Sequence, residues 1–136
     1  MILCNNEVLL IKTTYGYNYS LPGGGIKENE SPEDAAKREV FEEVGIELGT
    51  LTPLPYFVTH KEYKEDTVFG FYGEVPSKDY ILDDIEIDIA EWHPLDTLPK
   101  VGPVTAKIIE LYKEATTPSS VIIDPLPSTT DTSLPA

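Results

Sequence analysis

Apolar positions along this chain follow two different periods, and the switches between them mark out its elements. Met1 to Cys4 and Val8 to Lys12 are short, mostly apolar runs separated by Asn5-Asn6-Glu7. Asparagine tolerates the left-handed backbone region, so the pattern predicts two strands joined by a tight turn. Thr13 to Leu21 places Tyr15, Tyr17 and Tyr19 at a two-residue step. On a strand that step puts three rings on one face, as core or as a platform for a base or sugar. Leu21-Pro22-Gly23-Gly24-Gly25 then interrupts regular structure, because proline fixes φ and glycine allows positive φ and close backbone approach.

At Ser31 the period changes. Ala36, Val40 and Val44 recur at four-residue steps with Ala35 beside them, which predicts a helix with one narrow buried stripe. Ser31 suits its N-cap, Pro32 its first turn, Asp34 a capping partner and Gly45 its stop. Tyr56 to Thr59 and Thr67 to Val75 are predicted strands, an antiparallel pair joined by the polar stretch His60 to Asp66. Ile85, Ile87 and Ile89 alternate with Glu86 and Asp88, as in a half-buried strand running to Trp92. Pro103 to Ala115 is a second helix with Val104, Ile108 and Leu111 on its apolar face. The Pro-, Ser- and Thr-rich segment from Thr116 onward is expected to be a disordered tail, in which Val121-Ile122-Ile123 is a short apolar patch.

Composition sharpens this outline. A chain of 136 residues suits one compact domain. The single cysteine, Cys4, leaves no internal disulfide or multi-cysteine metal site and is expected to be a buried thiol. No apolar run approaches the ~18 residues of a membrane span, and the first residues lack a signal-peptide layout, so the expected setting is cytoplasmic with no membrane partner. The formal net charge of −14 argues against bulk nucleic-acid binding. An acidic protein still acts on phosphates when divalent cations stand between carboxylates and phosphate oxygens.

Glu39, Glu42 and Glu43 lie at i, i+3 and i+4 on the predicted helix, so their carboxylates project from one side. Like charges so spaced repel, and the same spacing describes either a solvated acidic face or a site for a hard divalent cation. The glycine loop entering this helix favours the second option, because exposed backbone groups there can meet a metal or a phosphate.

Gly24, five residues, Glu30, seven residues and then Arg38-Glu39-Val40-Phe41-Glu42-Glu43-Val44-Gly45-Ile46 resembles the complete box of the Nudix hydrolases, without departure at its defining positions. A looser likeness runs from Val8 to Pro99 through Trp92-His93-Pro94-Leu95-Asp96. The resemblance implies an α/β fold, a mixed β-sheet sandwiched between helices, with a domain over residues 1–113 and a tail over 114–136. It also implies hydrolysis of a diphosphate linkage in a nucleoside diphosphate-linked compound by water attack on phosphorus. Glu39, Glu42, Glu43 and the carbonyl of Gly23 or Gly24 would hold Mg²⁺ or Mn²⁺, with Glu42 or Glu43 taking the proton from water. Glu30 and Arg38 would brace the loop. Glu86, six residues before Trp92, occupies a position where many relatives carry a further acidic residue, and is a candidate fourth carboxylate.

Arg38 is the only arginine, so phosphates fall to metal, backbone and lysines, with Lys12, Lys27, Lys61 and Lys64 as candidates. Lys12 and the three tyrosines are the substrate-binding candidates, while His60 and His93 suit surface turns. The competing reading is a catalytically silent Nudix-fold nucleotide sensor or binding module. Substrate identity within the diphosphate-linked class stays open, as does oligomeric state, a homodimer being one option.

Overall fold

Asn5 and Asn6 both adopt positive φ, 51° and 65°, the two-residue turn their side chains favour. That turn folds β1 (Ile2–Cys4) back on β2 (Glu7–Thr13), with Leu3 opposite Val8. The computed structural model describes residues 1–14, 16–61, 64–82 and 86–117. Its other elements are α1 (Pro32–Val44), β3 (Thr52–Pro53), β4 (Phe57–Lys61), β5 (Lys64–Val68), β6 (Phe71–Glu74), β7 (Ile87–Pro94) and α2 (Pro103–Thr116).

Five strands form one mixed sheet in the order β3-β6-β1-β2-β7, with β1 and β6 parallel and the other pairs antiparallel. Strand β2 shows how the layers form. Leu9 and Ile11 point to one face and pack with Val40 and Val44 of α1 and with Ile46. Val8 and Leu10 point to the other and pack with Leu3, Leu98 and Tyr112 of α2. Both faces are covered, so the strand reads as a continuous apolar run instead of an alternating one. Each such side chain contributes roughly 1.5–3 kcal/mol by burial, which fixes the sheet as the middle layer of an α/β/α sandwich. Cys4 is a buried free thiol, as expected.

Three expectations are corrected. Residues 16–20 are not strand; after β2 the chain bends, and Ser20 and Tyr19 make only isolated bridges, to Ile11 and Val101. Tyr17 stands 92% exposed in the bend, Tyr19 is half-buried, and Tyr15 lies outside the described residues. Second, the 67–75 run divides at Phe69-Gly70. Its first part lies in β5, which pairs with β4 as a separate ribbon, and its second part is β6 in the main sheet. A Cβ on Gly70 would lie 3.3 Å from Ile108, so glycine lets α2 approach where the chain changes sheet. Third, the register between β2 and β7 shifts between Lys12 and Thr13, so Ile87 and Ile89 do not share a face. Ile87 joins the core under α1, whereas Ile89 pairs with Lys12.

Helix α2 runs on to Thr116, one residue past its expected end at Ala115, and the Val121-Ile122-Ile123 patch lies outside the described residues. Among the described residues no helix is long and apolar enough to cross a membrane.

Candidate active site

Helix α1 starts and stops as its sequence dictates. The Ser31 hydroxyl accepts from the Asp34 amide at 3.1 Å, and Gly45, at φ 67°, donates to the Phe41 carbonyl in a left-handed cap. The buried stripe of Ala35, Val40 and Val44 fixes the rotation of the helix. Glu43 therefore falls beside the stripe and is itself buried, while Glu42 stands half in solvent and Glu39 lies between these extremes.

The loop before the helix is tied down on three sides. Ser20 exchanges two 2.8 Å backbone hydrogen bonds with Ile11 of the sheet. The Leu21 amide donates to the hydroxyl of Thr105 in α2 at 3.1 Å, and the Gly23 amide donates to Glu43 Oε1 at 3.0 Å. Gly23 has φ 152°, which L side chains rarely adopt. At Gly24 the backbone lies directly against Glu39: a Cβ there would sit 2.5 Å from the carboxylate carbon.

Arg38 joins the loop to the helix. Its Nε and Nη2 donate to the two oxygens of Glu30 at 2.8 and 3.0 Å, and Nη2 also donates to the Gly25 carbonyl at 2.9 Å. Its Nη1 donates to Glu39 and Glu42, both at 3.2 Å. The guanidinium, helped by the Lys27 amide, holds the Glu30 carboxyl down at about pKa 2, and Glu30 in turn raises the pKa of Arg38. Arg38 and Glu30 thus connect α1 to the loop through hydrogen bonds.

In this state the glutamates do not converge. Among the described residues no three acidic, histidine or cysteine side chains form a ready metal cluster, because Glu39 and Glu42 turn to Arg38 and Glu43 to Gly23. The donor set nevertheless fits a hard divalent cation. All the available ligands are oxygens, from three carboxylates and the loop carbonyls, and the missing Cβ of Gly24 leaves the space that the Glu39 carboxylate fills.

Beside this loop opens a cleft of about 640 Å³ between the loop, the first half of α1, the base of the β4–β5 ribbon and the start of α2. Ser20, Ala36, Phe69, Thr105 and Ile108 lie in its wall. Asp66 is the only ionisable side chain lining it among the described residues.

The remaining candidates lie elsewhere. Lys12 projects from the face of β2 that bears Val8 and Leu10, with its Nζ 5.2 Å from the centre of the Tyr19 ring. Tyr19 donates its hydroxyl to Glu91 at 2.7 Å, and His93 Nε2 lies 3.0 Å from the same oxygen. The Tyr19 hydrogen bond leads in lowering the Glu91 pKa, and Glu91 in turn raises that of Tyr19. Sequence reasoning missed this group; the signal was parity, since Ile89, Glu91 and His93 share one face of β7 with Lys12 and Leu10 opposite. Glu86 sits exposed in the turn before β7, where its carbonyl accepts from the Thr14 amide. His60 pairs with Glu65 at 3.6 Å on the exposed ribbon with Lys64, Lys27 is exposed, and the side chain of Lys61 lies outside the described set.

Comparison with known proteins gives this geometry its context. The sequence profile of the NUDIX domain matches residues 1–113. Diphosphoinositol polyphosphate phosphohydrolase 3-alpha of Mus musculus is 32% identical over 127 residues, covering 85% of this chain and 74% of that protein. NAD-capped RNA hydrolase NudC of Haemophilus influenzae (strain PittEE) is 32% identical over 119 residues, covering 80% of this chain, which spans only 44% of that relative's length. The crystal structure of a MutT NUDIX hydrolase from Burkholderia pseudomallei superposes with a TM-score of 0.72 at 25% identity, covering 81% of this chain and 91% of that one. With the box residues arranged on α1 and its loop, and the profile spanning the whole sandwich, the chain belongs to the Nudix hydrolase family.

Proposed function

We propose that this chain is a pyrophosphohydrolase that cleaves the diphosphate bridge of a nucleoside diphosphate-linked compound by attack of water on phosphorus. The observation that carries the reading is the contact of the Gly24 backbone with the Glu39 carboxylate, beside the Gly23–Glu43 hydrogen bond. Glu39 and Glu43 are thereby held against the loop, with Glu42 three residues on from Glu39 along α1, beside an open cleft. Glu39, Glu42, Glu43 and the Gly24 carbonyl would hold Mg²⁺ or Mn²⁺. Bound there, the ion supplies charge to the phosphoryl oxygens and lowers the pKa of water.

The residues divide the remaining work. Glu43 is buried and engaged with the loop, so it positions, whereas Glu42 is the most exposed of the three and suits proton uptake from water. Glu86 is the further carboxylate candidate, from the turn before β7. Of Lys12, Tyr15, Tyr17 and Tyr19, proposed from sequence as substrate contacts, Lys12 and Tyr19 have support in the group they form with Glu91 and His93 on the α2 side of the sheet.

Charge narrows the substrate. A cleft lined among the described residues by one ionisable side chain, Asp66, and by Met1, whose buried amino terminus has its pKa lowered to about 5, in a protein of net charge −14, favours a neutral or cationic group on the non-phosphate side. The sole arginine is already engaged with Glu30, Glu39 and Glu42. Compounds with one diphosphate bridge and a neutral or cationic ring are thus favoured over heavily phosphorylated ones. The test is to offer dinucleoside diphosphates, nucleotide sugars, an inositol pyrophosphate and capped RNA with Mg²⁺, and to follow the phosphate products. Turnover of the low-charge bridged compounds, abolished by EDTA and lowered roughly 10²- to 10⁴-fold by Glu42→Gln, is expected. Tight binding without turnover of any of them makes the chain a sensor and overturns the proposal.

A further inference from the structure

Thr105 is the third residue of α2 and is 5% exposed. It stands near Leu21, Val104 and Ile108 in the cleft wall, where valine would fill the same volume without a polar atom. A buried hydroxyl in such surroundings is costly unless bonded, and this one accepts from the Leu21 amide at 3.1 Å.

The position of that bond along the chain gives it leverage. Tyr19 is tied by its backbone to Lys100 and Gly102 at the entry to α2, and Ser20 is tied to Ile11. Leu21 is tied to Thr105, Pro22 has no amide hydrogen to give, and Gly23 is tied to Glu43. Thr105 is therefore the hold on the chain between the sheet and the glycines that touch Glu43 and Glu39. Without it, among the described residues, no hydrogen bond holds the backbone between Ser20 and Gly23, and only the packing of the Leu21 side chain against the cluster of Leu3, Val8 and Leu10 remains there.

We infer that Thr105 is a positioning residue for the carboxylate site: its hydroxyl, through the Leu21 amide, sets where Gly23 and Gly24 lie against Glu43 and Glu39. The box that makes α1 a site is thus aligned by a side chain from the other helix, outside the box. The turnover arm of the test rests on the hydrolase reading and the Mn²⁺ arm on its metal site; the exchange arm rests on neither.

The experiment compares Thr105→Val and Thr105→Ser with Ile109→Val, a buried change on α2 away from the loop. Four quantities are measured: melting temperature, amide exchange at Gly23, the Kd for Mn²⁺ alone, and kcat with KM. In Thr105→Val the Gly23 amide should exchange faster although its own partner is intact, and Mn²⁺ should bind roughly three- to tenfold more weakly, short of the loss seen on removing a ligand's direct partner. Its kcat should fall roughly ten- to hundredfold, since an ångström of misplacement costs about that much, with KM changing less. Thr105→Ser should restore all three to within about twofold. Ile109→Val should lower the melting temperature and leave the other readouts as in wild type. Wild-type Gly23 exchange and Mn²⁺ affinity in Thr105→Val overturn the inference, whatever its melting temperature. If Thr105→Val does not fold, Thr105→Cys, which keeps the volume with a weaker acceptor, takes its place under the same criteria. Absence of turnover on every substrate, with exchange and Mn²⁺ binding altered as expected, refutes the hydrolase reading and leaves this inference standing.

Discussion

A methyl group on Gly24 tests the site at its tightest contact. The added Cβ would lie 2.5 Å from Cδ of Glu39 and 2.6 and 2.8 Å from its two oxygens. Non-bonded carbon atoms rest at about 3.5–4.0 Å, so the carboxylate must retreat by roughly 1 Å. It is the far end of a flexible side chain, and leaving its rotamer costs about 0.5–1.5 kcal/mol, so Gly24→Ala should fold with a modest loss of stability. Function is the more sensitive readout. A displacement of ~1 Å at a reacting group costs on the order of 10²-fold in rate, equivalent to about 2.7 kcal/mol of barrier. We expect kcat to fall by about that factor and the Mg²⁺ concentration for half-maximal activity to rise, while the melting temperature moves only a few degrees. Gly49→Ala, with nothing within 4 Å of its Cβ, is the control and should match wild type in every readout. Gly23→Ala should show the opposite balance, because its Cβ meets nothing while its φ of 152° is strained for alanine, so stability falls first. Wild-type kcat and metal dependence in Gly24→Ala would refute the reasoning that places Glu39 at the reacting centre.

The Arg38–Glu30 tie makes a pH prediction. Glu30 has its pKa lowered from 4.5 to about 2 in the folded chain, so its stabilisation is fully present above pH 4.5 and is lost as pH falls through about 2. The gap in melting temperature between wild type and Glu30→Gln should be constant near neutrality and close across that window; a gap that stays constant through it contradicts the tie. Glu86→Gln should lower kcat while Asp88→Asn, at the β7 register shift, should not, and indistinguishable variants would remove Glu86 from the site. Deleting residues 118–136 should leave melting temperature, kcat and gel-filtration volume unchanged, because their composition offers little apolar surface. A loss of stability would show that Val121-Ile122-Ile123 docks.

Legibility in the sequence follows the range of the interactions. α1 was readable to the residue, because Ser31, Pro32, Asp34 and Gly45 act within one turn of the helix ends they control. The turn at Asn5-Asn6 was equally local. What failed depended on distant partners. The tyrosine run had the period of a strand, yet only Ser20 meets β2, at Ile11 on the edge opposite β7, and Tyr19 bonds instead to Lys100 and Gly102 before α2. β6 could not be separated from β5 by propensity, since the break answers to Ile108 across the core. The hydroxyl of Thr105, 84 residues from the amide it binds, carries no local signal at all.

The same division explains how three glutamates share one helix face before any cation arrives. Each i, i+4 repulsion costs only a few tenths of a kcal/mol in solvent, but more as the carboxylates lose water. Glu43, the most buried, accepts from the Gly23 amide, which offsets part of the cost of burying it. Glu42 keeps much of its hydration, and Glu39 lies between the Gly24 backbone and Arg38. Arg38 serves both sets of contacts with different atoms. Nη1 faces Glu39 and Glu42, while Nε and Nη2 hold Glu30 and the Gly25 carbonyl. A lysine ammonium, a point charge on a flexible stem, can serve one set or the other, whereas the planar fork serves both. The Arg38 atoms that brace the loop are thus separate from the one that faces Glu39 and Glu42, and these two can leave Arg38 without breaking its hold on Glu30 and the Gly25 carbonyl.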